Sequence, residues 1–525
     1  MVNKEVEDNI VCPSVINENQ KCTTPDPGNV ADFETAIAQT KFGTFNLILL
    51  LVAIPSVFAS QFETASLSYA FPAAQCDLNL SLEDRGLVNA IIYTGMISSC
   101  FIWGSLVDVF GRRRILIITH LIDSVFVIMA AFAPNLSVLL VAKFFGGFVI
   151  NGPSMALTPY LSEFHGTQYR SRVPLTLGLL YSVGNIFLPL LAWALLPLNI
   201  NINVFEGFEL HAWNIFLLIC TLPALTSGLF FLIIPESPKY LMSKGNNENA
   251  LEIFQQIFKL NTRQDPEQYP VKKLKDDKQI YQQKYTLKEA WIQISPLFSL
   301  RYANKLLLVC LLEFFLMMGT NSLRLWLPQI FQLINDYILE NNESGSFCSM
   351  LNTLQSTANN DETCLMNFDN SSVYINSIIV AFTAVVGYFI AAFCINKLGK
   401  KKILAILGTV SGTAVLSIYF APNSTSGLIL ICIYLMCTCV CIDVVIAIAV
   451  DLFPTYLRAS ALSLVLMSGR LGSIVGNLIF PILLQVGCGA PFFTLGGITI
   501  SKSHTNLLKI ISFLFFVLFS ILLYR

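Results

Sequence analysis

The chain has 525 residues, 54% hydrophobic and only 12% charged, with a net charge of −1. Soluble domains carry about 25% charged residues, so half that value requires a lipid environment, and the near-neutral balance excludes nucleic acid as a partner. The 14 cysteines show no metal or redox spacing. There is no P-loop and no nucleophile paired with a base at a recognisable spacing, so neither an enzyme nor a cofactor is expected.

Residues 1–42 form a polar tail with no apolar signal-peptide core. Six apolar stretches follow, at 44–72, 85–107, 115–133, 138–161, 173–197 and 213–234. Six more come after a charged interval, at 306–331, 373–395, 403–421, 426–450, 461–484 and 507–523. Each can form a helix across ~30 Å of hydrocarbon, which takes about 20 residues. The expected fold is an all-α membrane protein with twelve transmembrane helices in two six-helix halves, 43–236 and 303–525. The linker at 237–302 is charged and helix-compatible, which predicts short surface helices that dock the halves together.

The two halves read as copies. Gly104-Ser-Leu-Val-Asp108-Val-Phe-Gly111-Arg112-Arg113-Arg114 lies between the second and third stretches, and its spacing recurs at Ala392, Asn396, Gly399 and Lys400-Lys401-Lys402, 288 residues on. The same offset relates Glu163 and Arg170 to Asp451 and Arg458, and Ala133-Pro134-Asn135 to Ala421-Pro422-Asn423. Three landmarks in one register indicate pseudo-symmetric halves, the parallel-repeat plan of a transporter. Gly111 permits the sharp turn, and Gly104 is expected to let a neighbouring helix approach closely.

The loop at 333–372 contains no lysine or arginine, two cysteines, and sequons at Asn342 and Asn370. Further sequons at Asn79, Asn135 and Asn423 fall on the same expected side, which marks that face as lumenal or extracellular. There Cys348 and Cys364 are expected to form a disulfide. All but six of the 32 lysines and arginines lie in the tails, corners and linker on the opposite side. Positive-inside orientation then puts both termini in the cytosol.

Charges inside the spans are Glu63, His120, Asp123, Lys143, Glu313, Arg324, Asp443 and Arg470. Each costs at least ~2.5 kcal/mol at mid-membrane unless it meets a partner or a cavity. His120 and Asp123 are three apart on one helix face, which suits either a proton relay or a satisfied polar pair. Asn185 and Asn321 read as hydrogen-bond donors to a solute or as packing polar residues. Trp193 and Trp326 suit stacking on a ring or a cation, or, for Trp326, an interfacial anchor.

Pro235-Glu236-Ser237-Pro238-Lys239-Tyr240-Leu241 and Phe453-Pro454-Thr455 with Arg458 resemble signatures of the major facilitator superfamily, as do the duplicated corners. His211-Ala-Trp213, Ile442-Asp443-Val-Val and Gly476-Asn477-Leu-Ile-Phe480 resemble its synaptic vesicle glycoprotein 2-like branch, particularly the insect-type members. The chain departs from that branch at Asn214, Lys143 and Cys439, and lacks its long lumenal domain. The resemblance implies the major facilitator fold, with Glu63, Arg324 and Asp443 lining a central cavity or else forming an internal salt bridge such as Glu63–Arg324. It implies that Arg470 attracts an anion or neutralises Asp443. It also implies a cytosolic gate built from Asp108, Arg112, Arg113, Glu163, Arg170, Glu236, Lys400, Asp451 and Arg458, or ion pairs there that only fix topology. The expected function is alternating-access transport of a small organic solute, an organic ion favoured and a sugar possible, with proton coupling open. The protein would act as a monomer in the bilayer of the plasma membrane or a secretory or synaptic vesicle. The alternative is a non-transporting vesicle glycoprotein acting in trafficking or as a scaffold.

Overall fold

The computed structural model describes residues 30–78, 80–170, 172–198, 200–205, 208–275, 295–341, 345–352 and 371–503. A short helix, α1 (Phe33–Gln39), precedes the first half, which comprises α2 (Thr44–Leu78), α3 (Leu82–Phe110), α4 (Arg112–Ala131), α5 (Leu136–Glu163), α6 (Val173–Leu195) and α7 (Ala212–Phe231). The linker helix α8 (Asn247–Thr262) leads to α9 (Leu300–Asn341), α10 (Ser371–Leu398), α11 (Lys400–Ser417), α12 (Ser424–Leu452), α13 (Thr455–Val486) and α14 (Gly489–Ser503). Among the described residues, eleven helices are long and apolar enough to cross a membrane, and α14 supplies the twelfth element. Each half has its own apolar core, one around Phe62, Ile92, Ile150 and Phe216 and the other around Leu323, Ile330, Val415 and Phe492.

The register of 288 is visible in the backbone. α3 and α10 end at Phe110 and Leu398, α4 and α11 start at Arg112 and Lys400, and α5 and α12 start at Leu136 and Ser424. Gly111 and Gly399 both sit at positive φ, 97° and 79°, where a side chain would be strained. Asn135 and Asn423 are both exposed N-caps, accepting from Val138 N and Ser426 N at 3.0 and 2.9 Å. These two sequons lie at the helix ends opposite the basic corners. Asn79, Asn342 and Asn370 lie outside the described residues.

Three expectations need correction, and a fourth falls outside the described residues. The stretch expected at 507–523 lies outside the described residues, and α14, which starts at Gly489, was not foreseen: the first half joins α6 to α7 through a β-hairpin (Ile202–Phe205 with Phe208–Leu210), whereas only Gly487 and Cys488 separate α13 from α14. Gly489, Thr494, Gly496 and Thr499 dilute the apolar signal there, yet α14 packs on α11 as α7 packs on α4. The loop expected from 333 is helical to Asn341 and again at Phe347–Asn352. Cys348 pairs with Cys488, Cα atoms 5.4 Å apart, and not with Cys364, which lies outside the described residues. Phe347 sets this pairing: it is fully buried, edge-on to Phe492 of α14 at 6.1 Å, and turns the next residue toward the α13–α14 turn. Finally, Gly104 has no heavy atom of the described residues within 4 Å of where a Cβ would sit, so no described helix approaches it closely in this conformation.

The tail is not wholly free either. Phe33, Ala36 and Ile37 of α1 pack with Ala250, Phe254 and Phe258 of α8 and with Tyr269. Asn261 of α8 holds the start of α2, donating to the Thr40 and Lys41 carbonyls at 3.1 and 2.9 Å and accepting from Phe45 N at 2.9 Å. Of the described linker, α8 and Tyr269 therefore dock on the first half and α1, while Leu297 packs with Leu306 and Val309 of the second half.

The disulfide ties a loop to the α13–α14 turn, and such a link contributes on the order of 2–4 kcal/mol. Peptide mapping without reduction should recover the Cys348–Cys488 cross-link, Cys364→Ser should leave it intact, and Cys348→Ser should lower the melting temperature.

Candidate functional site

The halves meet through α3 against α13 and α6 against α10. Toward the end away from the basic corners the contact is direct. Arg85 of α3, buried, donates to Gln329 of α9 and to Gln75. A Cβ on Gly86 would sit 2.6 Å from the Asn477 carbonyl of α13, and Trp193 Nε1 donates to Ser371 Oγ at 3.2 Å.

Midway along the seam, Arg324 of α9 reaches across to Gln61 of α2 and Asn185 of α6, each at 3.4 Å. Arg470 of α13 lies beside Cys100 and Tyr93 of α3 and Tyr181 of α6. Arg324 Nε and Arg470 Nη1 are buried without a hydrogen-bond partner, and neither guanidinium has a carboxylate at ion-pair distance among the described residues. Asp443 of α12 is exposed, and the Tyr388 hydroxyl of α10 hydrogen-bonds to it. Arg324 is within electrostatic reach of Tyr388 and of Cys439, both neighbours of Asp443. The arrangement is two under-satisfied cations and one carboxylate from the second half, facing neutral polar groups from the first. It suits an anionic group with a second polar handle.

Other candidates lie elsewhere. Glu63 does not face the seam and does not pair with Arg324. It is buried in the first half against Lys143 of α5, Oε2 to Nζ 2.8 Å, both side chains 1% exposed. Asp123 of α4 lies within electrostatic reach of both, and its two oxygens are buried without a hydrogen-bond partner among the described residues. His120 Nε2 is 2.7 Å from Ser56 Oγ, and its ring stacks parallel to Phe231. Trp326 is buried in the second-half core against Phe480, ring centroids 5.5 Å apart, so it neither lines the cavity nor anchors at an interface. Asn321 is likewise internal, donating to Ser473 Oγ of α13 at 2.7 Å. Trp193 sits at the outer α6–α10 contact, away from Arg324. Sequence reading passed over Gln61, Tyr388 and Arg85; the available signal was a polar group inside, or at the edge of, an apolar run.

At the basic corners each ion pair stays within one half. Arg112 contacts Asp108 at 2.9 Å and Glu163 at 3.5 Å. Ser237 Oγ donates to Glu163, while Glu236 accepts from the backbone N–H of Arg113 at 3.0 Å. The Arg113 guanidinium donates to the Phe231 and Leu232 carbonyls at 2.9 and 2.6 Å. Arg170 pairs with Glu34 of α1 in a two-pronged contact at 2.9 Å and not with Glu163. In the second half Lys400 Nζ contacts Asp451 at 2.7 Å, and Arg458 Nε has no hydrogen-bond partner among the described residues. Next to this corner, burial holds the His165 imidazole below its ordinary range, opposed in part by its 2.7 Å contact with the Leu161 carbonyl.

Two pseudo-symmetric six-helix halves with a polar seam define the architecture of a membrane carrier. Residues 35–335 match the family described as sugar (and other) transporter and residues 344–501 match the major facilitator superfamily; the chain belongs to the sugar (and other) transporter family of that superfamily. It is 29% identical to synaptic vesicle glycoprotein 2B of Rattus norvegicus over 44% of this chain and 34% of that protein. Over a longer alignment it is 20% identical to synaptic vesicle glycoprotein 2C of Mus musculus, covering 87% of this chain and 77% of that one. The match to glycoprotein 2B thus spans about a third of that relative's length. Among solved structures the fold resembles the xylose transporter XylE from E. coli (TM-score 0.61, 16% identity, 88% of this chain and 98% of that one). It also resembles the nucleoside transporter NupG (TM-score 0.58, 14% identity, 88% and 97%).

The buried Lys143–Glu63 pair generates a stability test. Removing one partner of a buried ion pair costs about 3–5 kcal/mol, because the other charge is left uncompensated. Lys143→Met should therefore sharply lower the melting temperature of the purified protein, and adding Glu63→Gln should recover most of the loss.

Proposed function

We propose that the chain is an alternating-access carrier for a small organic solute bearing an anionic group, which binds at the seam between its halves. The observation that carries this reading is the pair Arg324 and Arg470, with unpaired buried N–H donors facing Gln61, Asn185, Tyr93 and Tyr181 of the opposite half. A ligand that satisfies donors from one half and acceptors from the other stabilises their approach, which is the differential binding that alternating access requires. Asp443 and Tyr388 supply the second handle, favouring an organic ion over a plain sugar. The sugar and nucleoside transporters among the fold neighbours support the general class.

Proton coupling, in this reading, belongs to the buried group of Glu63, Lys143 and Asp123. Two carboxyls share one ammonium there, so charge balance leaves room for one proton between the acids. The basic corners face the cytosol by the positive-inside rule, with the carrier open toward them. The open space over Gly104 supports this, as it leaves room for a helix of the second half to dock when that side closes. The corner ion pairs then steady each half as it rocks. The plasma membrane or a secretory vesicle membrane is the proposed location, and the protein acts as a monomer.

The resemblance to vesicle glycoproteins favours a second reading, a trafficking or scaffold role without transport. Uptake into proteoliposomes over a panel of organic anions, zwitterions and sugars separates the two. Saturable flux supports the carrier; no flux for any compound, with partner trafficking intact in cells, supports the scaffold. Each charged hydrogen bond is worth about 1.5–3 kcal/mol, so Arg324→Gln and Arg470→Gln should each weaken solute affinity on the order of 10- to 100-fold. Gly104→Leu should abolish flux while leaving solute-induced thermal stabilisation intact, since it blocks closure and not binding.

A further inference from the structure

The duplicated halves diverge where three helices meet next to the basic corner. In the first half, Trp103 of α3 fills the space between α4 and α5. It is 8% exposed, donates Nε1 to the Phe148 carbonyl at 2.6 Å, and its ring lies over Gly152. At 288 residues further on, Trp103 becomes Ala391, Phe148 becomes Met436 and Gly152 becomes Val440. Without an indole, the second half has a crevice of about 160 Å³ between α10, α11 and α12, lined by Gly387, Ala391, Cys394, Met436, Cys437 and Val440. A cavity of about 150 Å³ with apolar walls holds a benzene-sized group. Ile390 and Ile406, 52% and 49% exposed, and Leu398, 44% exposed, belong to its lining on the outer side; in a membrane protein such exposed apolar surface faces acyl chains.

The basic corner beside this crevice has diverged in parallel. Arg112 and Arg113 of the first half are taken up by Asp108, Glu163 and the Phe231 and Leu232 carbonyls. In the second half Lys400 is held by Asp451 and the Ala447 carbonyl. Lys397, Lys401 and Lys402 are exposed and make no ion pair among the described residues.

We infer that this is a binding site for an anionic phospholipid of the leaflet on the basic-corner side. One acyl chain enters the crevice left by Ala391, and the phosphate headgroup sits on Lys401 and Lys402. Charge complementarity selects the occupant: a neutral lipid or a sterol fills the crevice equally well but gains nothing from the lysines. The site lies outside the seam, so it holds whether or not the chain carries a solute.

The test is native mass spectrometry of the full-length protein released from micelles doped with phosphatidylserine or phosphatidylcholine. Phosphatidylserine should be retained in preference. Each juxtamembrane lysine is worth about fivefold in affinity for an anionic lipid, so Lys401→Gln with Lys402→Gln should erase that preference while leaving the melting temperature unchanged. Ala391→Trp, which rebuilds the first half's plug, should remove retention of either lipid, and Ala391→Leu should weaken it if the tryptophan variant does not fold. Undiminished phosphatidylserine retention in a folded Ala391 variant overturns the crevice assignment. Equal retention of the two lipids by the unaltered protein, or a preference untouched by the lysine changes, overturns the headgroup assignment.

Discussion

Hydrocarbon offers no partner to a polar group, so every charge within a span must be satisfied by protein or face a cavity. That constraint sorts the charged residues of this chain. Lys143 and Glu63 satisfy each other inside one half, and their separation on α5 and α2 fixes how those helices pack. Arg85 is answered by Gln329 across the seam and by Gln75 of its own half. Arg324 and Arg470 are left with unmatched donors, and both lie where the halves face each other. The incompletely satisfied cations thus fall where a ligand between the halves can complete them, while Asp123, the under-satisfied acid of the first half, lies beside Glu63 and Lys143.

The second organising feature is a backbone corner used twice. Gly111 and Gly399 adopt nearly the same positive φ, and each starts a helix whose first residues are basic. What differs is how the corner is held. In the first half Glu236 accepts from the Arg113 amide, and its Oε2 sits 2.5 Å from where a Cβ on Gly111 would be, so the segment after α7 closes over the corner. At Gly399 no described residue comes within 4 Å of where a Cβ would be, and Lys400–Asp451 is the second half's one ion pair among the described residues. Duplication preserved the turn, while the side chains around it diverged; this divergence leaves one lysine cluster free beside a crevice.

Much of this was legible in sequence, for identifiable reasons. Helix length follows from hydrocarbon thickness and apolar runs, and the repeat follows from glycine and asparagine positions that the backbone requires, so the helix boundaries of α3, α4, α5 and their copies could be placed. The capping role of Asn135 and Asn423 was hidden behind their sequons, although the serine three residues after Asn423 is a capping signature. The start of α14 was missed because its glycines and threonines depress local hydropathy, and because the α6–α7 hairpin has no counterpart. Side-chain partners were the least legible. A single sequence gives Glu63 and Arg324 as opposite charges at similar depth, but only packing decides that Lys143, from the same half, reaches Glu63 first. Cys364 was the nearer choice for Cys348 along the chain, and the burial of Phe347 brought in Cys488 instead.

The position of Gln61 relative to Glu63 connects the two polar groups of the first half. Two residues apart on a helix, they point about 200° from each other, one toward Arg324 at the seam and the other into the Lys143–Asp123 group. In the proposed mechanism α2 therefore separates a solute face from a proton face by the thickness of one helix. A shift of α2 that brings Gln61 closer to a bound solute changes the Glu63–Lys143 distance, and in a low-dielectric interior an ion pair is sensitive to small separations. Coupling between solute and proton then needs no direct contact, only a helix that cannot satisfy both faces equally in both conformations. The same logic explains why α2 presents an amide and not its acid to the seam: a carboxyl at Gln61, which Arg324 contacts directly, would pair with the guanidinium and remove the anion site.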